Sequence, residues 1–149
     1  MTLMKILNNR ATFDYEVLET FEAGIQLQGQ EVKAVREGHA DLTGSFARIL
    51  DSEVYLINAK IFPYKYARTE TYDQNRTRKL LLHKKEVLAL KHKTSSTNLT
   101  IVPISLYTTR SFIKIQLALG KPRKKFEKKE KIKKRDADRE IAQELKKSR

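Results

Sequence analysis

The residues that could do chemistry are few, and most can be set aside. His39, His83 and His92 are far apart, and none sits in a metal-ligand spacing such as HxxxH. His83 and His92 are nine residues apart, two and a half helical turns, so on one helix they would face different ways. They read as surface histidines. No glycine-rich phosphate loop is present, and the 18 Asp and Glu residues show no spacing that recommends an acid–base pair. Cysteine is absent, which excludes disulfides, thiol catalysis and thiolate metal sites. No catalytic residue, metal or cofactor is expected.

Two basic segments carry more information. The first is RTRKLLLHKK, residues 76–85, where Arg76, Arg78 and Lys79 lead out of a polar stretch into three leucines. Such a cluster reads as a phosphate-contacting edge, because the guanidinium fork can grip two phosphate oxygens. The second is the C-terminal run from Lys121 to Arg149. It holds 14 basic and 6 acidic residues, a net +8, against 17 and 12, a net +5, in the preceding 120. Concentrating the charge this way points to a polyanionic partner.

The elements that must position these residues follow from periodicity. Residues 13–28 read as extended, with a bulge or bend at Gly24. Residues 30–37 switch to a helical period, with Gly38 as the stop. Residues 46–61 read as a hairpin turning at Asp51-Ser52. Residues 63–78 are a long polar loop. Residues 80–93 predict a helix, with Val87, Leu88 and Leu90 facing the core. Residues 99–119 predict a second hairpin. In it Val102, Ile104 and Leu106 share one face, as do Ile113, Ile115, Leu117 and Leu119. About six antiparallel strands with inserted helices suit a small closed barrel of the oligonucleotide-binding type, since closure removes sheet edges.

The domain organisation follows: a barrel over 1–120 and a basic tail over 121–149. The tail has favourable Glu127–Lys131 and Glu130–Lys134 pairs at i,i+4, and no Gly or Pro after Pro122. Its large apolar residues, Phe126, Ile132, Ile141 and Leu145, form no continuous stripe. It is therefore expected to be disordered when free and helical on a polyanion.

The order of FEAGIQLQGQEVKAVREG, RTRKLLLHKKE, IVPISLY and a basic tail resembles the SsrA-binding proteins (small protein B) from Leu7 to the end. F-E-A-G followed by G-x-E-V-K, and R-T-R-K-L-L-L, are its specific blocks. The resemblance implies an oligonucleotide-binding barrel without catalysis, cytoplasmic and monomeric in its complex. It would bind the tRNA-like domain of tmRNA and deliver it to stalled ribosomes for trans-translation. The RNA-facing positions it implies are Asn8, Glu22 and Leu81. Arg76, Arg78 and Lys79 are added on charge. The tail would enter the decoding region and message channel of the ribosome. There it would use Lys124, Lys125, Phe126, Lys128, Lys129, Ile132, Lys133, Lys134, Arg135, Ile141 and Leu145. Ala34 and Val35 depart from the family's Ser-Leu, Asp73-Gln74 from its Asp-Pro, and Pro122 from its Gly.

Another class of function is a membrane-surface or generic polyanion binder acting through the tail. Amphipathic anchors carry Trp, Phe or Leu along one face, and this tail does not, so no membrane partner is expected. A third reading, a nuclease, would show itself as divalent-metal-dependent cleavage.

Overall fold

The computed structural model describes residues 3–67, 71–95 and 98–147, without the side chains of 125–127, 131 and 144–147. Among the described residues, nine strands and four helices follow one another. They are β1 (Lys5–Leu7), α1 (Asn9–Asp14), β2 (Tyr15–Ile25), α2 (Gly29–Arg36), β3 (Ala40–Asp41), β4 (Phe46–Leu50) and β5 (Glu53–Ile57). Then come β6 (Lys60–Ile61), β7 (Arg78–Leu81), α3 (Lys84–Ser95), β8 (Thr100–Thr108), β9 (Ile113–Pro122) and α4 (Lys125–Lys147).

Seven strands form one antiparallel sheet in the order β1-β8-β4-β5-β7-β2-β9, and β8 also pairs with β9. That last pairing closes β8, β4, β5, β7, β2 and β9 into a ring, as an oligonucleotide-binding barrel requires. β1 is an extra strand on β8, and β3 pairs with β6 in a separate ribbon. The hairpin at Asp51-Ser52 is as expected. Both residues have positive φ, 48° and 69°, the twist that matches a tight antiparallel turn. Gly38 ends α2 in the left-handed region at φ 81°.

Four readings are corrected in this fold. β7 occupies the start of the expected 80–93 helix. Leu80 is buried and Leu81 exposed, so the segment alternates, and it is held between β5 and β2. Helix α3 begins only at Lys84, and Leu88 on it is 54% exposed rather than in the core. The bulge of β2 lies between Val17 and Glu19, not at Gly24.

β8 carries its own irregularity between Pro103 and Ser105, which reverses the phase of its side chains. Val102, Ile104 and Leu106 therefore do not share one face as expected: the first two pack under α1 with Ala11 and Ala118, while Leu106 joins the main core. That core centres on Ile115, Leu117, Leu56, Val54, Ile61 and Leu80. Each such side chain stabilises the fold by about 1.5–3 kcal/mol relative to exposure. Helix α2 is fastened onto this core by Val35 and by a buried ion pair described below.

Candidate nucleic-acid interface

The strand registers bring together residues that the sequence keeps apart. Lys5 on β1 lies opposite Tyr107 on β8, and Tyr107 opposite Lys114 on β9. Lys114 lies opposite Gly24 on β2, and Gly24 opposite Leu81 on β7. Directly opposed residues share a face of the sheet, so this is one outward row across five strands. At about 4.8 Å between strands it spans about 19 Å.

Glu22, two residues before Gly24 on β2, shares that face. Its carboxylate accepts a hydrogen bond from Lys114 Nζ at 2.7 Å and another from the Tyr107 hydroxyl. The Lys114 hydrogen bond, and after it the one from Tyr107, hold the Glu22 carboxyl below its ordinary pKa. Burial and donation to Glu22 push Tyr107 up to about 12. At neutral pH the group is thus an anion flanked by two donors. Lys114 takes Oε1 and Tyr107 takes Oε2, so each oxygen keeps a second acceptor direction. Those directions suit a base amino group or a ribose 2′-hydroxyl.

Leu81 is 51% exposed beside this anion. Gly24 makes room for it, since a Cβ there would stand 3.2 Å from Leu81 Cβ. Glu22, Gly24, Leu81, His83, Glu86 and Lys114 line one shallow cleft. Its apolar floor and charged wall can take the face and edge of a base.

The other expected site residues divide. Lys79 is half-buried and pairs with Glu53 at 2.9 Å. Arg76, with 34% of its side chain exposed, pairs with Glu31 and keeps an outward edge. Arg78 is not a surface group: its side chain is 0% exposed. It donates to Glu31 Oε2 through Nε at 2.8 Å, to the Ala59 carbonyl at 2.7 Å and to the Gln74 carbonyl at 3.1 Å. Its fork ties α2, the segment after β5 and the long loop together. An arginine buried this way needs its full set of partners, and has no face left for phosphate.

Asn8 is likewise 4% exposed. Its amide donates to the carbonyls of Pro103 at 2.8 Å and Leu42 at 3.2 Å, and its Oδ1 caps α1 at the Ala11 N–H. It clamps β1, β8 and α1 and presents nothing to RNA. Tyr107 and Lys114 were missed by sequence reading. Their only signal is the polar phase of the β8–β9 hairpin, and that does not say which polar positions meet Glu22.

At the other end of β2, Tyr15 pairs with Pro122, two residues beyond the boundary read at Gly120. Helix α4 leaves from here. Arg123 N–H donates to the Asp14 carbonyl at 2.9 Å, and Lys128 pairs with the Asp14 carboxylate at 3.2 Å. A groove between α1 and α4 is lined by Phe13, Ile132, Arg135 and Arg139, among others. Lys124, Lys129, Lys133, Lys134, Arg135 and Ile141 are exposed, Lys128 and Ile132 half-buried. The side chains of Lys125, Phe126 and Leu145 lie outside the described residues.

The model of the SmpB protein family matches residues 5–147, barrel and tail alike. The chain belongs to the SmpB family. It is 44% identical to the SsrA-binding protein of Thermosipho africanus, covering 98% of this chain and 100% of that one. It is 47% identical to the SsrA-binding protein of Chlorobium chlorochromatii, covering 93% and 88%. Among solved structures it is similar to a chain of "tmRNA-SmpB: a journey to the center of the bacterial ribosome". The TM-score is 0.68, at 46% identity over 81% of this chain and 85% of that one. The closed β-ring and its inserted helices are thus the SmpB fold.

Proposed function

We infer that this chain is an RNA-binding adaptor of trans-translation. It holds tmRNA on the Glu22–Leu81 face and engages stalled ribosomes through its basic tail. The observation that carries this reading is the family match, which runs from β1 to the end of α4 without a break. It acts in the cytoplasm, without catalysis of its own, wherever ribosomes stall on message that lacks a stop codon.

Barrel and tail have separate tasks. Glu22 accepts hydrogen bonds from RNA, Leu81 gives a base an apolar platform, and Lys79 and the outward edge of Arg76 contact phosphate. The tail's lysines meet ribosomal RNA of the message channel. Among the described residues, helix α4 meets the barrel at Asp14 and in the groove beside α1, and gains little from it. Its helix propensity is opposed by repulsion among Lys128, Lys129, Lys133, Lys134 and Arg135. It therefore orders fully only on the ribosome, and free it gives weak, narrowly dispersed NMR signals over 125–147.

The test is a chain ending at Lys124, which retains all of β9 and the Arg123–Asp14 bond. It should bind tmRNA as tightly as the full chain and fail to support tagging of stalled products. Loss of tmRNA binding would show that the tail takes part in that step. Full tagging without the tail would refute its ribosomal role.

A further inference from the structure

The Glu22 cluster has a double elsewhere on the ring. On β5, Tyr55 donates its hydroxyl to Glu53 Oε2 at 2.7 Å, and Lys79 on β7 donates to Glu53 Oε1 at 2.9 Å. On β8, β2 and β9, Tyr107 donates to Glu22 Oε2 and Lys114 to Glu22 Oε1. The constellation is the same: an exposed carboxylate with one oxygen on a tyrosine hydroxyl and the other on a lysine. The local routes differ. Glu53 and Tyr55 are two apart on one strand, whereas Glu22 and Tyr107 come from strands separated by β9. The likeness is therefore not a by-product of one hairpin geometry.

The two clusters are joined. Lys79 and Leu81 are two apart on β7 and share a face, about 7 Å from one another. Leu81 ends the first row, and Lys79 begins a second. Tyr55 lies opposite Lys79, and Arg48 on β4 opposite Tyr55. Arg48 is exposed, Tyr55 and Lys79 half-buried. Like Glu22, Glu53 is held below its ordinary pKa, here first by Tyr55 and then by Lys79. Lys5, Lys114, Lys79 and Arg48 are the cations of the joined rows, beside the carboxylates Glu22 and Glu53. Tyrosine rings between cations are how sheet surfaces take successive unpaired bases, each ring stacking a base and each cation meeting a phosphate.

We propose that Tyr55, Glu53, Lys79 and Arg48 form a second nucleotide-binding site, which takes unpaired tmRNA nucleotides adjacent to those held at Glu22 and Leu81. The proposal rests on the reading that the Glu22–Leu81 face binds tmRNA, and extends that face across β7 onto β5 and β4. Tyr55 stacks a base, the Glu53 carboxylate accepts from its edge, and Arg48 and Lys79 hold the flanking phosphates.

The chain has no tryptophan, so Tyr55→Trp places a single stacking reporter at the site. With tmRNA added to the full-length protein, without ribosomes, its emission should be quenched and affinity retained. Tyr55→Ala should weaken tmRNA binding roughly five- to 100-fold with an unchanged salt slope, since it removes stacking and no charge. Arg48→Ala should lower the log–log salt slope by about one unit. Trp emission unmoved at saturating tmRNA, or an unchanged slope for Arg48→Ala, overturns the proposal. Glu22→Ala serves as the control. If it loses binding while the position-55 and position-48 variants behave as wild type, the second site falls and the first reading stands. If all bind as wild type, both fall. Quenching at position 55 with a neutral Glu22→Ala supports the second site and removes Glu22 from the first.

Discussion

Glu31 and Glu22 are nine residues apart, and both are held by basic side chains, yet their surroundings are opposite. Glu31 is 0% exposed on α2. Its Oε1 accepts from the Gln28 N–H and from Arg76, and its Oε2 from Arg78. Every direction is spent inside the protein. Glu22 sits on the outer face of β2, with two donors on one side and open acceptor directions on the other. Burial turns the first pair into a rivet, and exposure leaves the second free to bind. An ion pair's role is set by what surrounds it more than by the pair itself.

The most forceful way to break this comparison is Glu31→Ala, which strands Arg78 in the core. Removing one partner of a buried pair costs about 3–5 kcal/mol, so the denaturant midpoint should fall sharply. A midpoint near wild type would mean that Arg78 finds water. Glu22→Ala should do the reverse. Its unfolding midpoint should stay where it is, and its tmRNA affinity should drop about 10- to 100-fold, as for a hydrogen bond to a charged group. Removing a negative charge would tighten binding if electrostatics alone ruled, so the sign is decisive.

Acid sharpens the contrast. Burial pushes the Glu31 carboxyl up, but hydrogen bonds from Arg76, Gln28 N–H and Arg78 outweigh it and leave the pKa lowered. A lowered folded-state pKa contributes stability that is present above the unfolded value and lost as pH falls through the folded one. Below about pH 5 the stability of wild type should fall more steeply than that of Glu31→Gln. Parallel curves would remove Glu31 from acid unfolding. The smallest effect belongs to Tyr107→Phe, which keeps the ring and deletes one donor to Glu22. It should weaken tmRNA binding about threefold and leave thermal unfolding unchanged. A drop as large as that of Glu22→Ala would mean the hydroxyl itself touches RNA.

Local pattern made the two long hairpins legible, because strict alternation in Ile113–Leu119 has few other meanings. Asp51-Ser52 likewise announced its turn. Leu80–Leu82 misled because three leucines before good helix formers look helical, and only β5 and β2, distant in sequence, make Leu80 and Leu81 a strand. α1 escaped notice because six residues have no period to read; Asn8 makes it by capping it. Arg78 looked like its neighbours Arg76 and Lys79, and only the buried Glu31 sets it apart. Glu22 and Leu81 were visible through the family's motifs. The row that unites them with Tyr107 and Lys114 was not, since strand register is a property of the closed ring.

β2 has one more consequence. Tyr15, where the tail departs, and Gly24, beside Leu81, lie on one strand nine residues apart, and β9 pairs with that stretch on either side of the bulge between Val17 and Glu19. Nine strand steps come to about 30 Å. The β2–β9 ladder thus acts as a ruler between the face that carries Glu22 and Leu81 and the arm formed by α4. Lengthening both strands by two residues would keep every face as it is and move the arm by about 7 Å. The reach of the adaptor is thus a count of residues in two strands.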